Sequence, residues 1–230
     1  MRWLLVVSLL GACDAGVAPV TPPSGHNTVV AMTPLVDEVR KPTKADFALY
    51  TQDLPGSGAL VAAIETTQGT LHCELFGDKA PMTVANFVGL ATGKKAWTDP
   101  RTRIVQRKPF YDGLTFHRVI PDFMIQGGDP LGVGMGGPGY TFDDEYGAGL
   151  EMGPGALAMA NAGRGPSNDG TNGSQFFIME GSRPDLVGRH SIFGQCKELD
   201  VVAKIARVPR DANDKPTTPV TIIRISVGRT

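Results

Sequence analysis

One strong cation lies within an otherwise apolar run, Phe116-His117-Arg118-Val119-Ile120-Pro121-Asp122-Phe123-Met124-Ile125-Gln126-Gly127-Gly128-Asp129. Arg118 is a permanently charged donor with no acceptor of its own. A guanidinium held beside Phe116, Val119, Ile120, Phe123, Met124 and Ile125 needs a polar partner, because an unpaired buried charge is costly. Gln126 offers an amide and a carbonyl that can orient it. The alternative is a surface arginine with its stem on apolar neighbours and its head in water. This segment alone is compatible with both. Alternation puts Arg118, Ile120 and Asp122 on one side of a strand, with Pro121 expected to break it.

A second group of segments adds amides, small residues and paired rings: Met159-Ala160-Asn161-Ala162-Gly163, then Gly173-Ser174-Gln175-Phe176-Phe177-Ile178. Other chemistries fit less well. His190, Ser174 and an aspartate would suggest a hydrolase, but Ser174 stands in Asn-Gly-Ser-Gln-Phe, which is not a nucleophile elbow. His26, His72, His117 and His190 have no metal-ligand spacing, so neither metal nor cofactor is expected. The glycine-rich run 131–139 (LGVGMGGPG) has no following helix and no Lys-Ser/Thr pair, so it reads as a tight surface loop and not a phosphate cradle.

Together the two groups of segments resemble the cyclophilin family of peptidyl-prolyl isomerases, over about residues 59–227. The resemblance implies rotation about X-Pro bonds. That barrier, about 20 kcal/mol, exists because twisting breaks amide resonance. In the twisted state the proline nitrogen regains a lone pair, so a donor placed there stabilises the transition state without nucleophile or metal. By resemblance Arg118 is that donor and Gln126 orients it. Phe123, Met124, Phe177 and Leu186 line the proline pocket. Asn161 presents main-chain groups to the substrate, and Ala160, Gln175 and His190 complete the groove. For Met124, Phe177 and Leu186, plain core packing is the alternative. The implied fold is mainly β: a closed, eight-stranded antiparallel barrel capped by two α-helices. The implied partners are proline-containing peptides and unfolded or exported proteins, bound by a monomer. A non-catalytic proline-peptide-binding module on the cell envelope is the second reading. Asp185 falls where the best-known members place a Trp, so weak cyclosporin binding is expected.

The elements that must position these residues are legible in outline. High Gly and Pro content (29 and 18 residues) points to a β-rich, loop-rich chain. Residues 59–66 and 70–76 flank Thr67-Gln68-Gly69 as a hairpin. Pro81 opens a helix over 81–91, with Val84, Phe87, Val88 and Ala91 on one face and Gly93 near its end. Strands are expected within 151–162, at 191–194 and over 218–227, and a helix over 198–208. Residues 92–108, polar and basic, read as a solvated loop, with a partner-binding insertion as the alternative, and 163–172 as a turn-rich loop.

The first residues point to export. Met1-Arg2 precedes a short apolar run, Trp3 to Leu10, too short to span a bilayer. Leu10-Gly11-Ala12-Cys13 resembles a bacterial lipobox, which implies removal of residues 1–12 and lipidation of Cys13; an ordinary secretory signal is the alternative. Residues 13–46 read as a Pro-rich tether and 47–230 as the folded domain. The localisation implied is the bacterial cell envelope, on the periplasmic side of the inner membrane or on the outer membrane. The formal net charge of -1 suggests no nucleic-acid or acidic-lipid partner. Cys73 and Cys196 lie in strand-like segments and either pair in an oxidising compartment or remain buried thiols.

Overall fold

The computed structural model describes residues 38–230. The signal segment, Cys13 and the tether up to residue 37 lie outside the described residues. The last stretch assigned to the tether belongs to the folded unit. Asp46 is buried, forked by Arg40 at 2.6 and 2.8 Å and capped by the Thr43 N–H at 2.8 Å. It opens a first helix, α1 (Asp46–Thr51). The burial of Asp46 and Tyr50 draws this arm onto the domain, so the described residues carry three α-helices where two were expected.

The expected hairpin is β1 (Leu60–Thr66) and β2 (Gly69–Leu75). Then come α2 (Pro81–Thr92), a small hairpin of β3 (Trp97–Thr98) and β4 (Val105–Gln106), β5 (Arg118–Ile120) and β6 (Met124–Gly127). The chain continues with β7 (Ala156–Met159), β8 (Phe176–Met179), a 3-10 turn at Pro184–Leu186, β9 (Ile192–Cys196), α3 (Leu199–Ala206) and β10 (Ile222–Arg229). Pro81 sits where a helix has no use for its missing N–H. The Glu145 carboxylate accepts from the free N–H groups of Met82 and Thr83 at 3.2 and 2.7 Å. Gly93, at φ 74°, ends α2 in the left-handed conformation that favours glycine.

Eight strands form one antiparallel sheet in the order β10-β1-β2-β9-β7-β8-β6-β5. The expected closed barrel is corrected in one respect: no ladder joins the edge strands. The seam between them holds the isolated bridge Thr115–Thr221, with Phe116 N–H to Val220 O at 3.0 Å and Ile222 N–H to Leu114 O at 2.7 Å. Inside the curl, Phe87 of α2 meets the rings of Tyr111, Phe176 and Phe193 at 5.2, 5.7 and 5.3 Å. α2 is buried almost all round, a wider contact than its predicted stripe. Val202, Ile205 and Ala206 of α3 also pack into this core. Cys73 and Cys196 face each other across β2 and β9 with Cα atoms 3.8 Å apart and form a disulfide, which resolves the open alternative. The stretch 92–108 is not wholly solvated either: Lys95, Ala96 and Trp97 are buried.

Candidate active site

Strands β6, β7 and β8 differ from the first hairpin in one way: both of their faces are covered. β1 and β2 alternate between buried and more open positions, whereas β7 (ALAM) and β8 (FFIM) are buried throughout. Paired residues in a sheet point to the same side. One row across the sheet reads Val119, Ile125, Ile178, Leu157; these lie in the main core. The next row reads Arg118, Gln126, Phe177, Ala158, Ile192. It points outward. There Met124, Met152, Ala156, Ala158, Phe177, Met179 and Ile192 make a second apolar cluster, with Ile120, Phe123, Ala160, Leu150 and Leu186 packed on it.

Arg118 is half exposed at the end of this row, with its Nε 3.9 Å from the Asp214 carboxylate. Gln126 lies directly across the ladder but turns its amide away, donating Nε2 to Gln175 Oε1 at 3.0 Å. Gln175 in turn donates to the Gly134 and Gly136 carbonyls at 3.1 and 2.9 Å. The predicted Arg118–Gln126 bond is therefore absent among the described residues, and Gln126 joins the wall of the groove. The alternation around Arg118 lasts only to Ile120. Pro121 and Asp122 then turn the chain, with Asp122 at φ 58° and Phe123 N–H closing onto Ile120 O at 3.2 Å. The Asp129 carboxylate accepts from the backbone of Leu131, Val133, Gly134 and Met135. That carboxylate organises the glycine-rich loop and holds Gly134 and Gly136 in place for Gln175.

His190 stacks edge-on against Phe177 at 5.2 Å, and its Nδ1 lies 3.0 Å from the Met159 carbonyl. A carbonyl can only accept, so Nδ1 carries the proton. Burial holds the imidazole pKa below its ordinary value, which leaves it neutral near pH 7. Asn161 spends its side chain on structure: Nδ2 donates to Asp144 and to the Arg189 carbonyl, both at 3.0 Å. Among the described residues nothing bonds its backbone N–H or C=O, which are free for another chain. Ser174 is fully buried and donates to the Gly128 carbonyl at 2.8 Å, so it is committed to structure and unavailable as a nucleophile.

Residues 61–227 match the family described as cyclophilin type peptidyl-prolyl cis-trans isomerase/CLD. The probable peptidyl-prolyl cis-trans isomerase A of Mycobacterium bovis is 50% identical over 171 residues, covering 73% of this chain and 91% of that protein. Peptidyl-prolyl cis-trans isomerase B of Streptomyces anulatus is 45% identical over 177 residues, covering 73% and 96%. The chain belongs to the cyclophilin family. A cyclophilin-type isomerase of Cryptosporidium parvum has the same fold, with a TM-score of 0.63, 33% identity and coverage of 75% of this chain and 99% of its own. That relative has also been solved in the presence of the dipeptide Ala-Pro, where the TM-score is 0.62 at 32% identity, covering 74% of this chain and 99% of that one. The protein is thus a peptidyl-prolyl isomerase.

In this cyclophilin, Asp185 sits on the 3-10 turn and holds Arg183 in a fork at 2.8 and 2.7 Å. The Arg183 guanidinium lies 5.0 Å from the centre of the Phe123 ring. A charged pair therefore borders the apolar cluster at the position expected to lack an aromatic. Sequence reading missed Met152, Met179 and Ile192, which floor that cluster, and Asp214, which faces Arg118. Ile192 carried a signal, since it stands in a recognisable strand. So did Met179, two residues after Phe177 on the same strand; Met152 and Asp214 meet the site only through contacts distant in sequence.

Proposed function

We propose that this isomerase works by clamping a proline ring among Phe123, Met124, Phe177 and Leu186 while Arg118 donates to the proline nitrogen as the peptide bond twists. The observation that carries this is the apolar cluster on the outer face of β6–β8, separate from the core, with Arg118 in the same cross-strand row as Phe177. Asn161 offers its backbone to the peptide, and Gln126 and Gln175 form the adjoining wall. Asp214 draws Arg118 aside in the absence of substrate; a bound peptide recruits it. That the Cryptosporidium parvum relative was solved in the presence of Ala-Pro supports a proline-containing peptide as the occupant.

The clients we assign are exported proteins, met by a monomeric domain lipidated at Cys13. The lipobox-like run before Cys13 supports this, as does the Cys73–Cys196 disulfide, which suits an oxidising compartment. With Arg183 and Asp185 at the rim in place of a Trp, cyclosporin should bind weakly.

The test is cis–trans exchange of an Ala-Pro peptide by NMR, with the full chain and its Arg118→Ala variant. Wild type should speed exchange, and the variant should lose most of that while still binding the peptide. Wild-type binding without faster exchange would instead favour the envelope binding module and remove Arg118 from the mechanism.

A further inference from the structure

The near-zero net charge hides a local cluster. Between Trp97 and Lys108 the basic residues Arg101, Arg103, Arg107 and Lys108 stand against one acid, Asp99. The structure builds this stretch as a rigid hairpin. β3 and β4 pair through Trp97–Gln106 and Thr98–Val105. Across the turn, Asp99 N–H donates to Ile104 O at 3.0 Å and Arg103 N–H to Asp99 O at 2.7 Å. The base is pinned to the core: Trp97 meets the Phe110 ring edge-on at 4.7 Å and donates Nε1 to the Lys108 carbonyl at 3.0 Å. The hairpin therefore projects as a unit. It carries Ile104 and Val105, 60% and 43% exposed, flanked by exposed Arg101, Arg103 and Lys108.

Two branched aliphatics held in water by a rigid turn, with arginines beside them, are complementary to a surface that is acidic outside and apolar just beneath. An anionic bilayer is such a surface: headgroups meet the cations while short apolar side chains enter the acyl boundary. The long basic side chains can follow the headgroups while their stems stay apolar.

A second observation bears on the same face. The described chain begins beside this hairpin. The Arg40 carbonyl accepts from Lys95 Nζ at 2.7 Å, just before β3. Val39 and Thr98 converge on Gly139, 3.4 and 2.9 Å from where a Cβ on that glycine would sit. The arm that leads back to Cys13 thus meets the domain at the base of the hairpin. We infer that the hairpin 97–108 is a contact for an acidic lipid surface, a second membrane signal beside the N-terminal one; in its orientation argument this rests on the lipid-anchor reading. Several acyl chains at Cys13 would anchor the chain by themselves, and the basic hairpin adds a contact that depends on acidic headgroups. A docked hairpin would also restrict how the domain turns on the membrane.

The experiment is hydrogen exchange of the full chain, free and with vesicles of phosphatidylcholine, with and without about 30% phosphatidylglycerol. The amides of 101–106 should be protected only with phosphatidylglycerol. R101E/R103E should abolish the protection and lower vesicle partition by about tenfold or more. I104S/V105S should abolish the protection while keeping part of the salt-sensitive partition. Equal exchange in all three conditions overturns the inference. Protection of the same amides by soluble polyglutamate, with none on vesicles, overturns it in favour of an acidic protein partner. Failure of the anchor reading is seen separately: the chain then stays off pure phosphatidylcholine vesicles while the phosphatidylglycerol effect on the hairpin persists.

Discussion

The two faces of β6–β8 are both apolar and do opposite work. The inner face, with Ile125, Phe176, Ile178 and Leu157, packs against α2 and the rest of the curled sheet. The outer face, with Met124, Phe177, Met179 and Ala158, packs against loops and turns around a groove. One face is satisfied within the fold, and the other is the face we propose a peptide completes. The contrast shows why burial alone does not separate core from site. Phe176 and Phe177 are adjacent, 0% and 5% exposed, and only their direction distinguishes them.

The largest break in this symmetry should come from Phe87→Ala, which empties the centre of the inner cluster. It should cost about 3–5 kcal/mol of stability, read as a lowered urea midpoint. Phe177→Ala should lose less stability and most of the activity; equal damage from both would mean that the outer cluster is simply more core. Arg118→Ala sharpens the contrast further. Removal of one aimed donor typically slows a reaction by about 10²–10³. Since Arg118 is half exposed with only a loose ion pair at 3.9 Å, thermal denaturation should hardly change.

The Cys73–Cys196 bridge belongs to the inner side, in the half of the sheet away from the groove. Replacement of both cysteines by valine should cost about 2–4 kcal/mol and leave the rate of Ala-Pro exchange nearly intact. An unchanged denaturation midpoint would show that the thiols are not paired in solution. Asp185→Trp acts on the outer rim alone. It should raise cyclosporin affinity by about tenfold, some 1.4 kcal/mol, with stability unchanged; calorimetric titration reads this directly.

The smallest effect expected is that of pH. Burial lowers the pKa of His117, whose ring nitrogens have no partner, and of His190. The folded state thus binds protons less readily than the unfolded chain, whose imidazoles keep the ordinary value of 6.5. This contribution to stability is full above that value and declines as pH falls below it toward the lowered folded values. Urea midpoints should therefore be flat just above neutrality and drop on mild acidification. His117→Gln should reduce the slope; a slope unchanged in that variant would assign the loss to other groups.

Much of the proposed site could be read from the chain because its residues stand in two short, distinctive runs of sequence. Pro121 marks the turn that sets Arg118 opposite Gln126, and the Gly-Ser-Gln-Phe-Phe run carries both the wall and the slot. The helix at 198–208 and the first hairpin follow from period and punctuation. The arm at 38–46 could not be foreseen. Its prolines and charges look like a tether, and only the Arg40–Asp46 fork and the buried Lys95 beneath it bring the arm down. The hairpin at 97–106 was hidden for a similar reason: two-residue strands leave no periodic trace.

By itself the sequence determined the residue types of the proposed mechanism, the order of most elements and the break of the Arg118 strand at Pro121. These are local matters, set by alternation, proline and glycine. The tertiary structure decided the rest. It turned the Gln126 amide toward Gln175, drew Arg118 to Asp214, brought Cys73 onto Cys196 across 123 positions and gave β6–β8 a second buried face. Each of those outcomes depends on register between strands far apart in the chain, and register is fixed by the sum of all the packing around them.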